Sequence, residues 1–352
     1  MSNRFLRLLA EKPFLMADGA TGTNLFQVGL QAGDAPEMWN FDHVDRIEAL
    51  HQSFVDAGSD IILTNSFGGT RYRLKLHNAE GRVAEINQRA AEIARRVADR
   101  SGREIVVAGS MGPTGELFQP LGALTEEDGV AAFREQALAL KAGGVDVLWI
   151  ETMSAKEEVA AAVKGAAAAD LPIVTTMSFD TNGRTMMGLT PADFVAFVHT
   201  LDPQPVAYGA NCGVGASDLT ATIVQLHAAA VAGGWTADKI IAKGNAGIPF
   251  FENDKIKYNG TPELMADYVR LARDAGAAIV GGCCGTSPEH LVAMRAALDS
   301  HQPGSAPSVE TIVGRLGPLT AGASATLSGE APAVSGRRER RRDRPATGDV
   351  AF

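Results

Sequence analysis

Hydrophobic and polar positions follow two alternating patterns along the chain. Short apolar runs rich in β-branched residues recur, and longer Ala- and Leu-rich segments of helical periodicity separate them. The apolar runs predict eight strands, at residues 13–17, 60–64, 104–109, 146–150, 172–177, 206–210, 239–242 and 277–281. The segments between them predict helices at 44–57, 83–99, 125–142, 155–168, 191–199, 219–232 and 261–275.

The order of these elements favours one fold class. Eight strand-then-helix units fill about 300 residues, which is the size of a parallel (β/α)8 barrel. A doubly wound open sheet shows the same alternation, because alternation alone does not reveal whether the sheet closes. We therefore predict an α/β protein with a (β/α)8 TIM barrel over residues 1–300, and keep the open sheet as the alternative.

The composition changes after residue 300. Residues 301–352 are rich in Pro, Gly, Ser, Ala and Thr, and they contain an arginine cluster at 337–344. Such a segment cannot bury enough apolar surface to offset the entropy of ordering it. We therefore predict a low-complexity, disordered tail over residues 301–352 and expect it to be dispensable, although its arginines could contact nucleic acid or an acidic partner.

Net charge and hydropathy exclude some classes of protein. The 352 residues include 32 Lys and Arg against 41 Asp and Glu, a net charge of −9, whereas a nucleic-acid-binding domain shows a basic surface. No apolar run approaches the roughly 18 residues of a membrane span, and the N-terminus lacks the features of a signal peptide. We expect a cytoplasmic protein without nucleic-acid or membrane partners. Self-association into a homo-oligomer stays open.

Polar and glycine-rich segments follow directly after the predicted strands. They lie at residues 18–23, 65–69, 112–116, 151–152, 211–213, 245–247 and 282–285. In a closed parallel barrel these points converge on one face, and that face carries the active site. Packing alone does not require this pattern, which therefore indicates an enzyme.

The cysteines give this face a chemistry. The chain has only three, Cys212, Cys283 and Cys284, and an odd number with two adjacent is a poor disulfide framework. They follow strands six and eight, which are near neighbours in a closed barrel. Three thiolates suit Zn²⁺ and leave a fourth position exchangeable, as in catalytic sites. The alternative is that all three are small buried core residues, as most free cysteines are.

The type of ligand predicts the type of reaction. A zinc ion held by three thiolates is a weak Lewis acid, but coordination deprotonates a thiol outright. Such a site can hold a substrate thiol as a nucleophilic thiolate near neutral pH. Alkyl transfer to sulfur is therefore the expected reaction class.

Several motifs together resemble one family. They are D-G-A-T-G-T, L-T-N-S-F-G-G-T-R, G-P-T-G-E-L, N-C-G, N-A-G-I-P and G-G-C-C-G-T-S-P-E-H, and the resemblance that they carry covers roughly residues 10–297. They resemble the zinc-dependent homocysteine S-methyltransferases, which include betaine–homocysteine methyltransferase, the S-methylmethionine enzymes and the homocysteine domain of methionine synthase. The resemblance implies a (β/α)8 barrel, Zn²⁺ bound by Cys212, Cys283 and Cys284 as catalytic residues, and homocysteine as the substrate.

The resemblance also implies roles for other strand-end residues. Asp18 and Gly19 match the loop that contacts the amino-acid end of homocysteine, and Glu151 matches a second partner of its ammonium group. Asn245 resembles the asparagine that occupies the exchangeable zinc position before substrate arrives, and we place Asn65 in the same substrate site. The alternative for each is ordinary turn chemistry, because Asp and Asn beside Gly are common in turns.

The methyl donor is less well defined. Betaine-type animal enzymes have a tyrosine after the strand-4 acid, and this chain has Thr152, so an aromatic cage for a quaternary ammonium ion is not assured. Four aromatic residues lie on or near the right loops, namely Trp39, Phe67, Tyr72 and Phe118. We expect no folate or cobalamin module of a full methionine synthase within these 352 residues. We expect a small free donor or a separate methyl-carrying protein.

The sequence therefore predicts a homocysteine S-methyltransferase that makes methionine, with glycine betaine or a related methylated onium compound as the donor. The first alternative is transfer from a separate corrinoid or methyl-folate partner. The second is a non-catalytic zinc or thiol sensor. Asp18 and Glu151 count against the sensor, which needs no recognition of an amino acid.

Overall fold

A parallel sheet forms the centre of the computed structural model, which describes residues 3–252 and 255–327. Eight of its strands run in the order β1-β10-β7-β6-β5-β4-β3-β2. Their bounds are β1 Leu15–Met16, β2 Ile61–Leu63, β3 Val106–Met111, β4 Val147–Met153, β5 Ile173–Met177, β6 Ala207–Cys212, β7 Ile240–Gly244 and β10 Ala277–Gly282. The strands β8 Pro249–Glu252 and β9 Lys255–Tyr258 form a separate antiparallel hairpin.

The sheet closes on itself. A parallel bridge joins Ala17, at the end of β1, to Ile61 in β2. Beside it the backbone N–H of Asp60 donates to the carbonyl of Met16 at 2.7 Å. The predicted (β/α)8 barrel is therefore confirmed, and the open sheet is excluded.

Helices surround the barrel and connect its strands. Their bounds are α1 Arg4–Glu11, α2 Thr21–Gln27, α3 Trp39–Asp42, α4 Val44–Asp56, α5 Arg71–Lys75, α6 Val83–Arg100, α7 Glu126–Ala142, α8 Lys156–Ala166, α9 Pro191–Val198, α10 Ala216–Ala232, α11 Pro262–Asp274, α12 Pro288–Ser300, α13 Val309–Leu316 and α14 Ala321–Leu327. All seven predicted helices are present. Thr125 caps α7 through the N–H of Asp128, and Thr190 forms a capping box at α9. None of the helices among the described residues is long and apolar enough to cross a bilayer.

Alternate residues of each strand face two separate cores. In β4, Val147 and Trp149 belong to the core inside the barrel, whereas Leu148 and Ile150 pack towards the helices. Phe5 and Leu8 of α1 join the inner core. Helix α1 lies at the N-terminal ends of the strands, because the side-chain amide of Asn3 donates to the carbonyl of Asp146, just before β4. The C-terminal ends of the strands are therefore left for a site.

The boundary predicted at residue 300 needs correction. Helices α13 and α14 lie within the segment predicted as disordered tail, and both pack on the barrel. Ile312 and Ala323 are almost fully buried, and the side chain of Asp218 in α10 accepts from the N–H of Thr320 at 2.9 Å. The composition of 301–352 hid these few apolar residues, which suffice because the barrel surface is already formed. Residues 328–352, with the arginine cluster, lie outside the described residues.

Candidate metal centre and substrate cavity

The three cysteines meet at the C-terminal end of the barrel. Cys212 ends β6, and Cys283 and Cys284 follow β10 directly. The sulfur of Cys212 lies 2.9 Å from that of Cys283 and 3.8 Å from that of Cys284, and all three sulfurs lie within 4.8 Å of one another. The expectation that strands six and eight bring these thiols together therefore holds. Three half-buried thiols at this spacing could hold a metal ion.

Strand β7 lies between the two cysteine-bearing strands and sets their positions. Gly244 of β7 is in register with Cys212 on one side and Gly282 on the other, and its carbonyl accepts from the N–H of Cys283 at 2.7 Å. A Cβ at Gly244 would lie 2.9 Å from the ring of Tyr268, so a side chain there would displace this packing. The close approach of β7 thus depends on glycine.

The thiols share charge unequally. Hydrogen bonds from Cys212 and Cys283 lower the pKa of the Cys284 thiol, and the hydroxyl of Tyr258 adds another hydrogen bond to this sulfur. The hydrogen bond between Cys212 and Cys283 raises the pKa of the Cys212 thiol. These contacts favour the thiolate form of Cys284. A divalent cation placed among them would favour ionisation of the other two.

Asn211, which sequence reasoning did not single out, connects the cysteine cluster to the end of β4. Its side-chain oxygen accepts from the N–H of Thr152 at 2.9 Å and from the hydroxyl of Thr176 at 2.7 Å, and its amide donates to the hydroxyl of Thr152 at 2.7 Å. Thr152 has a φ of +62° and Cys212 a φ of +58°. A β-branched residue in the left-handed region is strained, and these hydrogen bonds hold Thr152 there.

A cluster of three charged residues, Asp18, Glu151 and Lys243, lies close to the cysteines. Asp18 accepts from the N–H of Leu63 at 2.7 Å and from the ammonium of Lys243 at 3.1 Å. Glu151 accepts from the hydroxyl of Ser110 at 2.6 Å. Lys243 was missed by sequence reasoning, although a lysine within the apolar run of β7 was a usable signal. Its ammonium lies 5.6 Å from the centre of the Trp149 ring.

Burial shifts the protonation equilibria of this cluster. Loss of solvation raises the pKa of Glu151 to about 7, and Lys243 only partly opposes this effect. Burial also raises the pKa of Asp18, against the attraction of Lys243. For Lys243 itself, burial opposes the charged form, but the carboxylates of Asp18 and Glu151 outweigh burial and raise its pKa. Lys243 is therefore charged near neutral pH, while Glu151 titrates there.

Two cavities adjoin the cysteine cluster. The first has a volume of about 560 Å³ and is lined by all three cysteines together with Gly19, Asn65, Ser110, Glu151 and Lys243, among others. The second has a volume of about 810 Å³ and lies on the other side of Cys212. Among the residues that the structure describes, only Thr152 and Cys212 line both cavities. Both volumes are typical of small-molecule sites.

The structure places the remaining predicted residues around these cavities. A Cβ at Gly19 would lie 2.6 Å from the carbonyl of Thr286, so only glycine fits this wall of the first cavity. Asn65 lines the first cavity, and its amide donates to the carbonyl of Pro36 at 2.7 Å and to the side-chain oxygen of Asn40 at 3.1 Å. Asn245 lines the second cavity. Its amide donates to the carbonyl of Gly213 at 3.0 Å, and its buried side-chain oxygen has no partner.

The four aromatic residues considered for cation binding do not form one cluster. Phe67 lines the first cavity and Phe118 the second, whereas Trp39 and Tyr72 line neither. Trp39 is buried and packs against His43 and Arg46. These four residues therefore do not make an aromatic cage in the described part of the chain.

Comparison with known proteins agrees with this geometry. A family model described as homocysteine S-methyltransferase matches residues 15–298, more than three quarters of the chain. The chain belongs to the homocysteine S-methyltransferase family. The family that the motifs indicated is thereby confirmed, and with it methyl transfer to homocysteine as the family's activity.

Two curated relatives of this family member are methionine synthases. The one from Mycobacterium tuberculosis is 28% identical over 344 residues, which cover 92% of this chain. The one from Mycobacterium leprae is 28% identical over 321 residues, which cover 87% of this chain. The aligned regions make up only 28% and 26% of those proteins, so the chain spans about a quarter of their length.

Solved structures of a homocysteine methyltransferase are also similar. The oxidized and metallated forms of MmuM from Escherichia coli each superimpose with a TM-score of 0.69 at 25% identity. Each match covers 84% of this chain and 99% of the MmuM chain. A member of the family with this fold has therefore been obtained with metal bound.

Proposed function

We propose that this protein is a zinc-dependent S-methyltransferase that transfers a methyl group to homocysteine from a small methylated onium donor, the class to which glycine betaine belongs, and so forms methionine. One observation carries the proposal. Three cysteine sulfurs within 4.8 Å of one another line a cavity that also contains Glu151 and Lys243. Thiol-binding and amino-acid-binding groups thus face the same space.

The cysteine cluster fits the metal that the family implies. Cys212, Cys283 and Cys284 supply sulfur, which zinc prefers in sites of four ligands. The buried, unpartnered oxygen of Asn245 is a candidate for the exchangeable fourth position. When bound, Zn²⁺ would lower the pKa of the homocysteine thiol so that the thiolate persists near neutral pH.

The charged cluster suits the amino-acid end of homocysteine. Lys243 already pairs with Asp18, whereas the described contacts of Glu151 include no cation within ion-pair distance. We assign Glu151 as the main partner of the substrate ammonium and Asp18 as the second. The glycine-rich turn at Gly19 offers backbone N–H groups to the substrate carboxylate. Two fixed contacts at one end orient the sulfur at the other.

The transfer itself is a displacement at carbon. The homocysteine sulfur uses one lone pair to form a bond to the methyl carbon as the carbon–nitrogen bond of betaine breaks. The bonding pair stays on nitrogen, so a neutral tertiary amine leaves and the sulfur becomes the thioether of methionine. The protein's part is to hold the sulfur deprotonated and aligned, which can supply several kcal/mol of barrier reduction.

A separate methyl-carrying protein is the second candidate. The mycobacterial relatives are methionine synthases about four times as long as the matched region, so a corrinoid or methyl-folate partner is the other source of methyl groups to test. A zinc or thiol sensor fits less well, because Glu151, Asp18 and Lys243 build a site for an amino acid. Free thiols at the site fit a reducing, cytoplasmic location, and homo-oligomer formation can be measured on the same sample.

A donor panel tests the proposal. Zinc-loaded protein is incubated with homocysteine and methyl-deuterated betaine, dimethylsulfoniopropionate, S-methylmethionine or methylcobalamin, and labelled methionine is measured by mass spectrometry. The proposal predicts label from at least one onium donor. Label from methylcobalamin alone would favour the protein-bound carrier, and homocysteine binding without label from any donor would favour the sensor.

A further inference from the structure

Apart from Cys212 and Asn245, the residues that line the second cavity have no part in the proposed metal and homocysteine sites. Loops after β3, β4 and β5 form its walls, at residues 113–121, 152–158 and 178–189. It reaches the cysteine cluster only through Cys212 and its neighbours Gly213 and Asn245. Because homocysteine needs the groups of the first cavity, the larger second cavity is left for another molecule that meets the sulfur.

The two cavities differ in charge. The first contains carboxylates and cationic side chains together, as suits a zwitterionic amino acid. The second is lined by five carboxylates and a single ammonium, that of Lys156; the carboxylates are those of Glu116, Glu157, Glu158, Asp180 and Asp193. A cleft lined by one sign of charge concentrates the opposite charge. The second cavity therefore attracts cations.

The inner end of the second cavity holds a polar atom without a partner. The side chain of Asn245 is 5% exposed, and its carbonyl oxygen accepts no hydrogen bond in the described structure. Glu158, also 5% exposed, accepts from both the N–H and the hydroxyl of Thr114. A buried carbonyl oxygen costs free energy unless a ligand satisfies it. This oxygen would be free to face a cation in the second cavity if homocysteine took the fourth position of the metal.

The solvent-exposed wall of the second cavity combines carboxylates with exposed methionine and leucine side chains. Met186, Met187 and Leu117 are exposed and line the same cavity as Glu116 and Asp180. Methyl groups on sulfur or nitrogen carry part of the positive charge and are themselves apolar, so they fit a surface of both kinds. These carboxylates are exposed and lie outside the cysteine cluster. We therefore expect them to strengthen the binding of a cationic donor and to have little effect on the rate of methyl transfer.

We propose that the second cavity is the methyl-donor site and that it selects onium ions of net positive charge over zwitterions such as glycine betaine. This inference rests on the proposed function and refines its donor class. A donor in this cavity approaches the homocysteine sulfur past Cys212 and Thr152. With a sulfonium donor, a sulfur–carbon bond forms to homocysteine, a carbon–sulfur bond breaks, and its electron pair returns to the donor sulfur. The leaving sulfide carries no sulfonium charge, so the cavity holds it less tightly than the donor.

A matched pair of donors tests the selection by charge. Dimethylsulfoniopropionate is a zwitterion, and its amide is a cation with the same sulfonium group. The proposal predicts that the amide is used with a kcat/KM about tenfold higher than that of the zwitterion. In the triple variant Glu116→Gln, Glu157→Gln, Asp180→Asn this ratio falls to about one, mainly through KM of the amide. Equal use of both donors by the unmodified protein, or an unchanged ratio in the triple variant, would overturn the proposal.

Two controls protect the test from a folding artefact. Glu127→Gln removes a carboxylate from the first turn of α7, as Glu157→Gln does in α8, but Glu127 lines neither cavity. The ratio of the two donors should be unchanged in this variant. The single variants Glu116→Gln and Glu157→Gln should each lower the ratio part of the way. A fall of equal size in Glu127→Gln would contradict selection by the cavity.

Calorimetry with the amide separates this inference from the proposed function. The amide should bind the zinc-loaded protein, and the triple variant should bind it about tenfold more weakly, whether or not methionine forms. If the amide binds in this way but no donor yields methionine, the cation-selective site is supported and the methyltransferase activity is refuted. If methionine forms but the unmodified protein and the triple variant bind the amide equally well, the methyltransferase activity is supported and the cation-selective site is refuted.

Discussion

The ammonium of Lys243 lies 3.1 Å from the carboxylate of Asp18, and both side chains are almost completely buried at the end of the barrel. Lys243 comes from β7 and Asp18 follows β1, so the pair reaches across β10, which lies between these strands in the sheet. Within this buried ion pair, the ammonium of Lys243 opposes the rise in pKa that burial causes at Asp18. Glu151 has no cation within ion-pair distance among its described contacts, so in the proposed site it is the main carboxylate for the substrate ammonium and Asp18 is the second.

Removal of the lysine should destabilise the fold. Lys243→Met keeps most of the side-chain volume but leaves the carboxylate of Asp18 buried without its cation. We expect the free energy of unfolding to fall by about 3–5 kcal/mol, measured by urea denaturation at pH 7. The double variant Lys243→Met, Asp18→Asn should recover part of this loss. A double variant no more stable than the single one would show that the pair does not carry the effect.

The binding of the amino-acid end should depend on pH through Glu151. Its pKa of about 7 means that the group is mainly neutral at acid pH and ionised above neutrality. Because an ammonium group binds a carboxylate more tightly than a carboxylic acid, the affinity for methionine, which has no titrating thiol, should rise about tenfold between about pH 5.5 and pH 7. Calorimetry measures this rise. In Glu151→Gln the affinity should be low and nearly independent of pH.

The metal should depend on every cysteine. We expect about one zinc ion per chain in the unmodified protein by elemental analysis, and little zinc in Cys212→Ala, Cys283→Ala or Cys284→Ala. Two remaining thiolates hold zinc too weakly to survive dialysis. Asp18→Asn should keep its zinc while homocysteine binding weakens, which separates loss of metal from loss of the substrate site. Full zinc content in Cys283→Ala would refute the three-cysteine site.

The C-terminal helices should contribute to stability. Ile312 of α13 is fully buried, so Ile312→Ala should lower the free energy of unfolding by about 2–4 kcal/mol. Val313 on the same helix is 40% exposed, and Val313→Ala should cost less than about 1 kcal/mol. Truncation after Ser300 should lower the melting temperature, and truncation after Leu327 should leave it unchanged. Equal melting temperatures for both truncations would mean that α13 and α14 add nothing.

The barrel was predictable because its signal is local. The strands are short apolar runs, and two of the helices between them, α7 and α9, begin at the N-caps Thr125 and Thr190, which the sequence shows directly. The meeting of Cys212 with Cys283 and Cys284 followed from strand order alone. Closure of the sheet could not be predicted from local sequence, because it depends on the bridge between Ala17 and Ile61.

The features that were missed depend on contacts between distant segments. Lys243 gains its meaning from Asp18, 225 residues away in the chain, and Asn211 from hydrogen bonds to Thr152 and Thr176. Helix α13 has apolar residues at 309, 312, 313 and 316, which is a helical spacing, but this short signal stands in a Pro- and Gly-rich segment whose overall composition predicted disorder. It is stable because Ile312 meets a surface that other parts of the chain have built. Hydrophobic periodicity carries no information on such partners.

The central claim is that the protein transfers a methyl group from an onium donor to homocysteine at the cysteine cluster. The most direct measurement is mass spectrometry of methionine formed from homocysteine and methyl-deuterated donors by the zinc-loaded protein, compared with its Cys283→Ala variant. The account predicts deuterated methionine from an onium donor with the unmodified protein and none above background with the variant. Deuterated methionine at equal rates from both proteins, or none from the unmodified protein with any donor, would contradict it.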